Sequence, residues 1–168
     1  MIKGIKGYSV IIIPAFFVLL SSCNNNIVFT ESTTMPGKIW ELMNILSFRV
    51  PVEDTLSSNN VSFTIRSGSS YPYRNLYLFV KTISPEGKSI TDTLEYFLAD
   101  EKGKWYGRGF GDVHELTLPY KSNIFFPKKG SYQFKIQHGM RKENLDGIYD
   151  IGLRIEKTGK QILKSGKE

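Results

Sequence analysis

Between Val61 and Arg66 apolar and polar residues alternate without a break: Val, Ser, Phe, Thr, Ile, Arg. A period of two gives a β-strand one buried and one solvated face, and it matches no face of a helix. The same alternation recurs along the chain. Leu46, Phe48 and Val50 alternate with Ser47 and Arg49, and Tyr132, Phe134 and Ile136 with Gln133, Lys135 and Gln137. Tyr149, Ile151, Leu153 and Ile155 share one face of a last strand, opposite Asp150, Gly152, Arg154 and Glu156. Ile27-Val28-Phe29 opens a first strand, and Val113–Leu118 reads as a short one closed by Pro119. Leu76-Tyr77-Leu78-Phe79-Val80 is apolar throughout, the pattern of a central strand covered on both faces.

Turn chemistry separates these runs. Pro85-Glu86-Gly87-Lys88 joins Leu76–Val80 to the alternating Ile90–Tyr96 as a hairpin, and Pro127-Lys128-Lys129-Gly130 precedes Tyr132; proline pre-sets φ and glycine admits positive φ. Met140–Leu145 is long enough for one helical turn at most. Only two alanines occur, Ala15 and Ala99, while Phe, Tyr and Trp make up 13% of the 168 residues, a bias towards strands. About eight short strands with turns between them predict an all-β fold, a single antiparallel two-sheet β-sandwich of immunoglobulin-like or jelly-roll-like type.

The N-terminus follows a different logic. Lys3 and Lys6 precede an apolar run of 11 residues, Val10–Leu20, which ends in Leu20-Ser21-Ser22-Cys23. A membrane-crossing helix needs roughly 20 apolar residues, whereas this run has the length of a signal-peptide core. Leu-Ser-Ser-Cys resembles the lipobox of bacterial lipoproteins, in which cleavage falls before a cysteine that takes a diacylglycerol and then an N-acyl chain. Cys23 is the chain's one cysteine, which also excludes an internal disulfide. The expected organisation is a signal peptide over 1–22, a lipidated tether and first strand over 23–34, the β-sandwich over 35–156, and a polar, disordered tail over 157–168. Asn24-Asn25-Asn26 places no aspartate after the cysteine and no acidic cluster near it. By analogy with bacterial lipoproteins, this favours a periplasm-facing anchor in the outer membrane.

With 22 basic and 16 acidic residues the formal charge is +6; loss of Lys3 and Lys6 leaves +4. The excess is scattered, and an exported chain is no partner for nucleic acid. His114 and His138 have no metal-ligand spacing, and each reads as a surface or half-buried side chain. There is no G-x-S-x-G motif, and Glu95, Asp100, Glu101 and Asp112 are carboxylates that nothing in the sequence pairs. The chain therefore reads as non-enzymatic, without metal, cofactor or identified small-molecule substrate. The most unusual stretch is Gly103–Asp112, with glycine at 107, 109 and 111. It lacks the strand–helix context of a phosphate loop. Trp105, Tyr106, Arg108 and Phe110 are residue types favoured at interface hot spots, and Tyr71 and Tyr73 offer similar material. They are candidates for partner contact; alternatively Tyr71, Tyr73, Trp105 and Tyr106 would stack on sugar rings.

Several segments taken together carry a resemblance: Tyr71–Phe79, Asp92–Asp100, Gly103–Gly109, Phe125-Phe126-Pro127, Gly130-Ser131-Tyr132, His138–Arg141 and Leu145–Arg154. With the lipobox, this set resembles the gliding-motility lipoprotein GldH family. The resemblance implies a membrane-anchored envelope lipoprotein whose partners are other proteins of the gliding apparatus, which is intertwined with type IX secretion. Cys23 is the one functional residue it carries over. Cys23→Ser is expected to abolish metabolic labelling by acyl lipid and to leave the precursor uncleaved; a labelled variant would contradict the assignment.

Overall fold

The computed structural model describes residues 26–161; the signal segment, Cys23 and residues 162–168 lie outside them. Eleven strands are described: β1 (Ile27–Thr34), β2 (Ile39–Glu41), β3 (Leu46–Val52), β4 (Ser57–Gly68), β5 (Asn75–Ile83), β6 (Ser89–Phe97), β7 (Arg108–Phe110), β8 (Val113–Ile124), β9 (Gly130–His138), β10 (Asn144–Asp146) and β11 (Ile148–Gln161), with a 3-10 turn at Pro36–Lys38. Eight have seven or more residues and correspond to the expected strands; β2, β7 and β10 have three each.

They form two antiparallel sheets, ordered β1-β11-β4-β8-β7 and β3-β9-β5-β6, and a small β2–β10 ribbon. The pairings are nested. First pairs with last, β1 with β11; then β3 with β9, β4 with β8, and β5 with β6. The chain is thus one long antiparallel ribbon, its tip at the turn 84–88, wrapped so that successive segments fall alternately on the two sheets. That is the jelly-roll form of the sandwich.

Period-two patterning builds the core. Leu46, Phe48, Val50 and Val52 of β3 are all buried, and Ser47, Arg49 and Pro51 between them are exposed. Phe48, Phe134 and Leu78 meet Phe63, Ile65 and Leu153 across the interface between sheets. A fully buried side chain of this size is worth about 1.5–3 kcal/mol over an exposed one.

Three local expectations are corrected. Each sheet of a two-layer sandwich is covered on one face, so β5 buries Leu76, Leu78 and Val80, while Phe79 is 41% exposed. Pro119 does not end β8, which continues to Ile124 through register shifts opposite Val61. β7 reaches only Val113–Glu115 of β8, so Pro119 lies on a free edge where no amide is required. The extra residue puts Tyr120 onto Phe63, with ring centroids 5.2 Å apart. A second irregularity, between Ile148 and Asp150, makes Tyr149 the extra residue of β11, so Ile148 rather than Tyr149 enters the core. Met140–Leu145 contains no helical turn; Leu145 instead pairs with Trp40 in the β2–β10 ribbon. In addition, the supposed tail is strand as far as Gln161, paired with Ser57. Lys157 binds Asp54 at 2.7 Å. That ammonium, then the Ser57 hydroxyl and the Leu56 and Ser57 amides, hold the Asp54 carboxyl well below the usual carboxylate range.

The registers define two poles. Asn26, the turns at 53–56, 84–88 and 125–129, and the end of β11 gather at the pole where β1 begins. The connections at 69–74, 98–107, 111–112 and 139–143 gather at the other. The eight-residue β1 puts them roughly 27 Å apart at about 3.4 Å per residue. Phe63→Ala should cost about 3–5 kcal/mol in urea unfolding, while Phe110→Ala, at a site 97% exposed, should stay within about 0.5 kcal/mol. Equal effects would contradict this packing.

Candidate functional site

All six aromatic and basic candidates from the sequence lie at the distal pole, away from the start of β1, but they do different work. Tyr71 is core: it is 3% exposed, its hydroxyl donates to the Asn75 carbonyl at 2.7 Å, and burial pushes its pKa up. As a contact residue it drops out, because packing leaves no free ring face. Tyr73 and Trp105 are half-buried against it, with centroids at 5.7 and 6.4 Å. One face of Trp105 is stacked on His114 at 5.3 Å with 10° between planes. Trp105 is thus partly covered, and the stacking set proposed for carbohydrate loses Tyr71.

Tyr106, Arg108 and Phe110 are the outward part, and Tyr106 and Phe110 are 58% and 97% exposed. The local sequence explains why. Asp100 closes a turn by accepting the Lys102 and Lys104 amides at 2.8 and 2.9 Å, and the Tyr106 amide donates to Leu98 at 2.9 Å. The chain then runs along β8 at close quarters. A Cβ at Gly107 would sit 2.5 Å from the Glu115 carbonyl oxygen, and one at Gly109 would run into that of Val113. These glycines serve backbone approach, which leaves Arg108 and Phe110 on the outermost strand of the five-stranded sheet.

The turn beyond Phe110 is pinned by Asp112, which accepts from the Ser69 amide at 3.0 Å, the Ser69 hydroxyl, and the Tyr149 hydroxyl at 3.0 Å. The Ser69 hydroxyl first, then these other donors, hold the Asp112 carboxyl below its ordinary range. Glu95 accepts from Asn75, and Glu101 lies 4.0 Å from Arg74. The carboxylates Glu95, Asp100, Glu101 and Asp112 thus have separate local partners. Among the described residues no three His, Cys, Asp or Glu side chains converge to hold a metal.

Beside Tyr73 lies a hollow of about 450 Å³ bordered by Tyr77, Gly139, Met140 and Arg141. Sequence reasoning missed it, because Tyr77 sits in a run read as buried on both faces and Met140–Arg141 follows a strand without any periodic signal. His138, expected at or near the surface, is fully buried, its ring 5.3 Å from Trp40 in an edge-on contact. Neither ring nitrogen has a hydrogen-bond partner, and burial pulls its pKa below the usual histidine value.

The fold and this surface define a jelly-roll β-sandwich that presents an exposed aromatic edge strand. The GldH lipoprotein family model matches residues 27–155. The chain is 37% identical over 160 residues to a gliding motility lipoprotein GldH homolog of Christiangramia forsetii, covering 91% of this chain and 98% of that one. It is 35% identical over 159 residues to gliding motility lipoprotein GldH of Flavobacterium johnsoniae, covering 90% and 97%. It belongs to the GldH lipoprotein family, and so to the membrane-anchored proteins of the cell envelope. No helix among the described residues is long and apolar enough to cross a membrane. A solved structure of carbohydrate-binding modules from the β-sandwich superfamily overlaps 80% of this chain and 56% of its own, at 13% identity and a TM-score of 0.34, too distant a likeness to carry an argument.

The buried His138 makes stability depend on pH. A depressed folded-state pKa means that stability is complete above the unfolded value near 6.5 and is lost as pH falls, because only the unfolded chain takes up the proton. As pH falls below about 6.5 the unfolding free energy should fall, by at most about 1.4 kcal/mol per pH unit, and His138→Phe should flatten that slope. Parallel slopes in the two proteins would show that His138 titrates freely.

Proposed function

We propose that this protein is a non-enzymatic accessory component of the gliding machinery and its linked type IX secretion system, acting by docking onto other envelope proteins. In this reading Cys23 carries diacylglycerol and an N-acyl chain that hold the domain on the periplasm-facing leaflet of the outer membrane. The observation that carries the docking role is the placement of Tyr106, Arg108 and Phe110: all exposed, Arg108 and Phe110 on an outermost strand and Tyr106 just before it, roughly 27 Å along β1 from the tethered pole. An edge strand leaves backbone donors and acceptors unpaired, and aromatic and arginine side chains dominate interface energetics. Anchoring restricts the search to the membrane surface and raises the effective concentration of a weak partner.

Physical chemistry also says what should fail. Hot-spot aromatics are worth about 2 kcal/mol or more each, so Tyr106→Asp with Phe110→Asp should weaken partner binding by at least about 30-fold. In a gliding host the double variant, at normal cellular level, is expected to lose surface motility, secretion or the accumulation of a partner lipoprotein. Wild-type behaviour in all three would overturn the docking role of this edge.

A further inference from the structure

The pole where β1 begins carries a groove of about 550 Å³ that the docking reading does not use. It lies between the β5–β6 turn and the β8–β9 connection, where the two sheets part. Ile90, Ile124, Phe125, Phe126 and Phe134 supply its apolar wall. Ile90 is 65% exposed and Phe125 37%, and this volume falls within the range of small-ligand pockets, about 300–1,000 Å³. Around the same pole stand Ile27, Val28 and Leu56, also exposed.

The rim is basic. Lys128 lies 3.4 Å and Lys88 3.8 Å from Glu86, and Lys121 3.0 Å from Asp92. Three ammonium groups share two carboxylates, leaving one positive charge in excess. Surface pairs of this kind contribute little, so the lysines are free to exchange partners for a phosphate.

We propose that this groove takes one acyl chain of a bilayer phospholipid, with the headgroup phosphate held by Lys88 and Lys128. The proposal rests on the reading that Cys23 is acylated, which sets the geometry. Cys23 lies three residues before Asn26, at most about 11 Å of extended chain. β8 is the third strand over from β1, about 14 Å away at about 4.8 Å per strand. The groove therefore lies within about 25 Å of the anchored sulfur, on the pole turned towards the leaflet. Charge decides between sources of the chain. The diacylglycerol and N-acyl groups on Cys23 are uncharged and give the lysines nothing to bind, whereas a phospholipid brings a phosphate. Occupancy would add a second, non-covalent hold and fix which way the distal edge strand faces.

The test uses the mature protein reconstituted in vesicles of phosphatidylethanolamine and phosphatidylglycerol, doped with a phosphatidylglycerol bearing a diazirine in its acyl chain. After irradiation, mass mapping should find label in 120–127 and 88–90, at least fivefold above that in 106–110. Phe125→Asp with Ile90→Asp should cut groove labelling at least fivefold, and Lys88→Gln with Lys128→Gln should remove its sensitivity to salt. Both pairs replace exposed side chains, and an unchanged urea midpoint will verify folding. Label no greater in the groove than in 106–110, or unaltered by the apolar pair, would overturn the proposal; so would a groove filled by the protein's own acyl chain or by a peptide, since either excludes the probe. The mass of the N-terminal peptide reads Cys23 acylation separately. An unacylated Cys23 defeats the anchor reading, while acylated Cys23 with an unlabelled groove defeats this one alone.

Discussion

Phe48, Leu78 and Phe134 on one sheet and Phe63, Ile65 and Leu153 on the other can be dried only by each other. Neither sheet has a second apolar layer to turn to, and a strand of period two has only one apolar face to bury. The nested pairing is one solution to that constraint. Closing Ile27 onto Glu156 and Leu46 onto Ile136 requires most of the chain to be ordered at once, so the loop-closure entropy is recovered only when the two faces meet. Among the described strands, only the β5–β6 and β7–β8 hairpins are local. A fold so dominated by distant contacts should form slowly, and the turn at 84–88 is the natural place for the ribbon to begin.

The same constraint pushes chemistry to the ends. Strands fill the flat sides, and the connections that are free to vary collect at two poles. At the pole where β1 begins, a groove lies between the turns at 84–88 and 125–129, beside Lys88, Lys121 and Lys128. At the other, the column Tyr71–Trp105–His114 caps the core, and Gly107 and Gly109 allow β7 to ride against β8 with Tyr106, Arg108 and Phe110 outermost. Packing demands on Tyr71 and Trp105 thus create the surface their neighbours display.

The long strands were legible because alternation over five or more residues is a strong signal: Leu46–Val50, Val61–Arg66, Tyr132–Gln137 and Ile151–Ile155 all lie in strands and face as expected. The short strands were not. Ile39–Glu41, Arg108–Phe110 and Asn144–Asp146 have three residues each, too few for a period, and exist because a neighbouring strand offers an edge. Irregular pairings also escaped prediction, since one inserted residue reverses the phase, as at Tyr120 and Tyr149. Of the candidate surface, the residue types at 105–110 were visible, but which rings faced inward was not: Tyr71 and Tyr106 are alike in sequence and opposite in burial.

Composition, alternation and turn chemistry were enough by themselves to determine an all-β sandwich of about eight main strands, because those features depend on neighbours within a few residues. Tertiary structure decided the jelly-roll order over the immunoglobulin alternative, the burial of His138 under Trp40, and the separation of the groove at one pole from the exposed strand Arg108–Phe110 at the other. Each of these depends on which distant strands share an edge. No local pattern encodes that choice, because any alternating strand presents the same backbone to every possible partner.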